Sequence, residues 1–142
     1  MKKHMANHTV SCNWKNEMIF NVSVDNQTIV VDVPNESLTH KGPSPKKLLL
    51  AGLAGCTGMD VVSILKKMHQ PISFLNIVID AQISEEHPKV YTSIKIIYEF
   101  KKSDSLDEKK VDHAIKLSQE TYCGVAAMLR KGSEINLETR YL

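Results

Sequence analysis

The chain has 142 residues, 42% hydrophobic and 24% charged, the size and composition of a globular domain. Its net charge of +2 is too small to argue for nucleic acid or an anionic membrane as a partner. Three cysteines are an odd number and suggest no disulfide framework, and residues 1–10 lack the apolar core of a secretory signal. A cytoplasmic setting with reduced thiols is the expectation.

Residues 1–8 are polar and are expected to fray, leaving 9–142 as a single domain. From Thr9 the pattern alternates. Val10, Cys12 and Trp14 share one strand face, Phe20, Val22 and Val24 a second, and Ile29, Val31 and Val33 a third. Period two with short polar breaks predicts a three-stranded meander, with Cys12 on the inward face. Pro34 ends it, and 35–42 is a polar connector.

Ser44 is a good N-cap, and Pro45 suits the first helical position, where its missing N–H costs nothing. A helix is predicted from there to about His69, with Pro71 as the stop. It is apolar nearly all round, yet its longest apolar run, Leu48–Met59, is short of the ~18 residues that span a bilayer. Gly52, Gly55 and Gly58 each cost about 1 kcal/mol against alanine in a helix interior. Close approach by another backbone, such as a second helix, would explain them.

Leu75, Ile77, Ile79, Ala81 and Ile83 alternate with polar residues, and Val90, Thr92, Ile94, Ile96, Tyr98 and Phe100 alternate back. The two predict a long hairpin. Ser105-Leu-Asp-Glu108 has the form of a capping box, opening a helix to about Thr121. Tyr122-Cys123-Gly124 interrupts it, Val125–Lys131 resumes, and Ile135, Leu137, Thr139 and Tyr141 make a last strand. The order βββ-α-ββ-αα-β is an α+β fold, a long central helix packed on antiparallel sheet.

Two cysteines are placed for chemistry. Around the long helix, Leu49, Gly52, Met59, Asp60, Ser63 and Lys67 lie within about 60° of Cys56. A single cysteine on such a helix is more often a core residue than a reactive thiol. An aspartate one turn onward would raise a thiol's pKa. Cys123 stands where one helix ends and another begins, where free N–H groups favour a thiolate. The histidines have no paired ligand spacing, so neither a metal nor another cofactor is expected.

The run Pro43-Ser-Pro-Lys-Lys-Leu-Leu-Leu-Ala-Gly-Leu-Ala-Gly-Cys56-Thr-Gly-Met-Asp60-Val-Val resembles the central helix of the OsmC/Ohr superfamily. Ala114-Ile-Lys-Leu-Ser-Gln-Glu-Thr-Tyr-Cys123-Gly-Val-Ala-Ala-Met-Leu129 resembles its second cysteine segment. Both runs are most similar to the YhfA-like subgroup. The resemblance implies an intertwined homodimer with the long helices packed together between sheets. It implies a thiol-dependent peroxidase that reduces organic hydroperoxides, with Cys56 peroxidatic, Cys123 resolving, and an external dithiol as reductant. Two departures accompany it. The characterised peroxidases carry a glutamate about ten positions before the first cysteine, where this chain has Lys46 followed by Lys47. They carry an arginine on the third strand or the loop after it, and residues 27–42 here contain none. Lys46, Lys47 and Asp60 are therefore the candidates for electrostatic influence on Cys56. The alternative to an enzyme is a ligand-binding or redox-sensing dimer of the same fold.

Overall fold

A computed structural model describes residues 5–34 and 39–142. The expectation that residues 1–8 fray, and the polar connector 35–42, thus fall partly outside the described residues. The chain forms two compact units, Met1–Leu49 and Leu50–Leu142.

The first unit is the predicted meander. Strands β1 (Ser11–Asn16), β2 (Ile19–Val24) and β3 (Gln27–Val31) pair antiparallel in that order. Asp25 and Asn26, both left-handed at φ 48° and 62°, join β2 to β3 in the two-residue turn that follows strand twist. Cys12 is exposed, not inward in a core. β1 is an edge strand of its sheet, and all six of its residues are exposed. Gly42 is required where it stands: a Cβ there would lie 1.8 Å from the Val30 carbonyl oxygen.

Helix α1 (Pro45–Lys67) matches the prediction. After it His69 turns left-handed at φ 58°, and the Gln70 N–H reaches back to the Leu65 carbonyl at 2.9 Å. That six-to-one bond is a Schellman closure with histidine in place of the usual glycine. By length and composition α1 is apolar enough to cross a membrane, against the expectation from its longest unbroken run. One aspartate breaks the run without lowering the average much. Leu53, Val61 and Leu65 are nevertheless fully buried in the core of the second unit, so α1 serves there as a packed helix.

The second unit's sheet has the order β4 (Leu75–Ile83), β5 (Tyr91–Phe100), β6 (Glu134–Tyr141). β4 and β5 are antiparallel, as expected, but β6 runs parallel to β5. A parallel neighbour needs a crossover, supplied here by α2 (Glu108–Leu117) and α3 (Gly124–Arg130). Ile94, Ile96, Tyr98 and Phe100 put one face of the central strand wholly inside, against Leu53, Val61 and Leu65 of α1 and Val111, Ala114 and Ala126 of α2 and α3.

The capping box at Ser105 does not form. Ser105 is left-handed and closes a 3-10 turn, Lys102–Asp104. The cap is Asp107, whose Oδ1 accepts from the N–H groups of Lys109 and Lys110 at 3.0 and 3.4 Å. A carboxylate one residue before the first helical position outcompetes a hydroxyl three before it.

Candidate functional site

Helical spacing on α1 builds one wall of the site. Leu53, Thr57, Val61 and Leu65, each four residues on from the last, form the buried stripe. Cys56 and Asp60, one turn apart on its flank, are half-buried. Thr57 is the anomaly: a hydroxyl with no exposed surface in an apolar row. Such a group must be hydrogen-bonded to be tolerated.

The opposite wall is a π-helical turn, Ser118–Tyr122, between α2 and α3. The Cys123 N–H bonds the Ser118 carbonyl at 2.7 Å, five residues back, so one extra residue is accommodated in the turn. That widening turns Ser118 and Gln119 into the interior, both buried, and leaves Cys123 as the N-cap of α3.

Five side chains and Asp60 then form one connected network. Arg130 donates to the Gln119 backbone oxygen at 3.2 Å and to its Oε1 at 2.9 Å. With Oε1 so engaged, Gln119 Nε2 donates to Thr57 Oγ1 and Tyr98 Oη, each at 3.1 Å. Ser118 Oγ donates to Asp60 Oδ2 at 2.9 Å. Each hydroxyl has one proton, which fixes the remaining directions. Ser118 must accept from Thr57 Oγ1 at 2.8 Å, and Thr57 must accept from Tyr98 Oη at 2.7 Å. Burial pushes the Tyr98 phenol above its usual range, against the pull of Thr57 and Gln119, which keeps its proton available to give.

The two thiols meet beside the end of this chain. One ligating atom from each of Cys56, Asp60 and Cys123 lies within 4.8 Å of the other two. Cys123 is 3% exposed. The Ala126 N–H points at its sulfur at 3.4 Å, the cap contact expected of this position. That contact does not yield a stabilised thiolate. Burial pushes the Cys123 thiol up to about 11, Ala126 opposes it, and the Cys56 thiol and Asp60 carboxylate add to the rise. Asp60 therefore works against a thiolate at Cys123. Lys46 and Lys47 stand in the first turn of α1 and are not among the groups that shift this thiol.

A cleft of about 390 Å³ opens at Asp60, lined also by Ser63, Ile64, Lys67, Leu117 and Tyr122. It combines apolar walls with one cation.

Sequence reasoning singled out Cys56, Cys123 and Asp60, which the fold brings together. It missed Thr57, Tyr98, Ser118, Gln119 and Arg130. A signal existed for Thr57, the polar member of an apolar i, i+4 row. None existed for Ser118 and Gln119, whose inward turn depends on the π geometry.

The model of the family described as OsmC-like protein matches residues 38–138. The chain belongs to the OsmC-like family. Within the OsmC/Ohr superfamily it falls in the YhfA-like subgroup: it is 37% identical to Protein YhfA of Escherichia coli strain K12 over 95 residues, 67% of this chain and 70% of that protein. Among solved structures, a hypothetical protein from Aquifex aeolicus VF5 is 30% identical with a TM-score of 0.85, over 97% of this chain and 98% of that one. The organic hydroperoxide resistance protein OhrB of Bacillus subtilis is 16% identical with a TM-score of 0.69, over 95% and 98%. At that identity OhrB shares the OsmC-like fold with this chain. Both cysteines lie inside the family match.

Proposed function

We propose that this OsmC-like protein is a thiol-dependent peroxidase for organic hydroperoxides, acting as a cytoplasmic homodimer that an external dithiol recycles. The observation that carries the reading is the approach of Cys56 and Cys123 to within 4.8 Å from two different elements. Closing to a ~2.05 Å disulfide then needs side-chain rotation more than backbone movement. The name of OhrB, a protein of hydroperoxide resistance with the same fold, points the same way.

In the proposed cycle the Cys56 sulfur attacks the outer peroxide oxygen and the O–O bond breaks. The substrate leaves as an alcohol, and Cys56 becomes a sulfenic acid. The Cys123 sulfur then attacks the Cys56 sulfur. An S–S bond forms, the S–O bond breaks, and water departs. A dithiol reduces the disulfide by exchange and is itself oxidised. Half-buried Cys56 suits the first step, since it must meet the peroxide. Buried Cys123, kept from the peroxide, suits the second.

The dimer is supported by what α1 leaves open. Among the described residues nothing lies within 4 Å of a Cβ built at Gly52 or Gly55, and Met59 is 78% exposed. Of the three α1 glycines, Gly58 is the one approached by a described residue, at Ile77 Cδ1. A second copy of α1 is the proposed occupant of this small-residue face.

The test is titration of the reduced protein with cumene hydroperoxide, followed by mass spectrometry, with Cys56→Ser as control. One equivalent should consume two thiols and join Cys56 to Cys123. If excess peroxide gives no such disulfide, the peroxidase reading fails. A redox-sensing dimer is the second reading, favoured by the carboxylate beside the thiols. It predicts the same disulfide, with no sustained turnover when dithiol is supplied.

A further inference from the structure

We propose that Asp60 is the general base for disulfide closure: it takes the Cys123 thiol proton and hands it to the hydroxide leaving Cys56. The inference rests on the peroxidase reading above and deepens it at the same site.

Closure has a proton problem. The Cys123 sulfur must lose a proton as it attacks, and the oxygen leaving Cys56 must gain one. Cys123 is a poor source of thiolate, because burial holds its proton on at neutral pH. The carboxylate of Asp60 lies within 4.8 Å of both sulfurs, so it stands where the proton comes off and where it is needed. The balance closes within the site. The S–H and S–O bonds break, the S–S bond and one O–H bond form, and water leaves with Asp60 restored. Cys56 sulfur is reduced from the sulfenic level, Cys123 sulfur is oxidised by the same step, and the hydroperoxide has supplied the oxidising equivalent.

The buried network explains how a carboxylate is held for this work. Proton counting makes it one-way: Tyr98 gives to Thr57, Thr57 to Ser118, and Ser118 to Asp60. At its far end Arg130 fixes Gln119, whose amide group donates to both Thr57 and Tyr98. Every hydroxyl proton in the chain points toward Asp60, an arrangement that suits an anionic acceptor. Ser118 bonds one carboxylate oxygen, which holds the group in place and leaves the other oxygen for proton traffic. The charged and titratable groups facing the site are few. Cys56 and Asp60 come from α1, Tyr98 from β5, and Cys123 from the cap of α3. Lys67 and Tyr122 line the cleft at Asp60, and Arg130 acts through Gln119. Asp60 is the group among them that pairs reach to both sulfurs with a free lone pair.

The experiment isolates closure from peroxide attack. Full-length reduced protein is mixed with one equivalent of cumene hydroperoxide and quenched at intervals with dimedone, which traps Cys56 sulfenic acid. Adduct and disulfide are counted by mass spectrometry between about pH 6 and 9. In the unaltered protein closure should be nearly independent of pH. In Asp60→Asn, which keeps an oxygen to accept from Ser118, closure should slow by about 100-fold near pH 7, the lower range for a lost general base. The rate should then climb roughly tenfold per pH unit, as the unassisted thiolate path takes over. Ser118→Ala retains the base but frees it, so closure should slow by about tenfold with the flat profile preserved. Closure of Asp60→Asn at the unaltered rate, with the same flat profile, would overturn the proposal. Failure of the peroxidase reading looks different: the unaltered protein itself then shows neither adduct nor disulfide.

Discussion

Ser118 gives its hydroxyl proton to Asp60 at 2.9 Å, tying the π turn to the middle of α1 across 58 positions of sequence. This bond joins the apolar core to the chemistry. On one side of it are Thr57 and Tyr98, wholly buried, and on the other are two free thiols. The site is therefore rooted in the core, and changes to hidden polar groups should be felt at the cysteines.

Thr57→Val tests that root. Valine fills the same volume but removes the hydroxyl that accepts from Tyr98 and Gln119 and donates to Ser118. Leaving buried partners unsatisfied should cost about 1–3 kcal/mol in urea unfolding. A change below about 0.5 kcal/mol would show that the network adds nothing to stability.

Alkylation should separate the cysteines. A thiol with its pKa pushed up to about 11 holds about a thousandth of its sulfur as thiolate at pH 8. Iodoacetamide should therefore modify exposed Cys12 well before buried Cys123, as read by peptide mass spectrometry. The same shift has a stability consequence with a definite sign. Between about pH 9 and 11 the unfolded chain releases the Cys123 proton while the folded chain keeps it. Stability conferred by this group is thus full below pH 9 and lost as pH rises through that window. Cys123→Ala should flatten that part of the unfolding-versus-pH curve.

Gly52→Ala probes the proposed partner helix. Among the described residues the added methyl meets nothing within 4 Å and should favour the helix by about 1 kcal/mol. Between two chains it should push apart helices that rely on close approach. Sedimentation velocity should show the dimer Kd rising about tenfold or more. An unchanged dimer would put the contact on another face.

Cys12→Ser should be silent. Cys12 sits on a fully exposed edge strand, so stability should move by less than about 0.5 kcal/mol, and the Cys56–Cys123 disulfide should form as before.

Much of this fold is readable from residue order. Period two in the strands, Pro45 at the start of α1 and the alternation from Ile94 to Phe100 all act through local geometry, and the elements appear where they predict. Three features escape such reading. The direction of β6 depends on how the crossover packs, because a strand's own pattern is the same in either direction. The cap at Asp107 was masked by a plausible motif two residues earlier. Cys12 carries an inward pattern and is nevertheless exposed. At the site the thiols were visible as residue types, whereas Arg130 was just one of two arginines until the fold placed Gln119 beneath it.

The π turn also makes the site sensitive to chain length in a way that substitutions do not reveal. The turn holds one residue more than an α-helix would at the same rise. Deleting exposed Glu120 would remove that extra residue and let the turn close with ordinary i to i−4 bonds, while the residues beyond it kept about their places. Cys123 would still cap α3, but the wide turn that points Gln119 at Thr57 and Tyr98 would be gone, with no side chain at the site altered. The spacing between the buried serine and the second cysteine is thus a dimension of the site in its own right, set by the backbone rather than by any functional group.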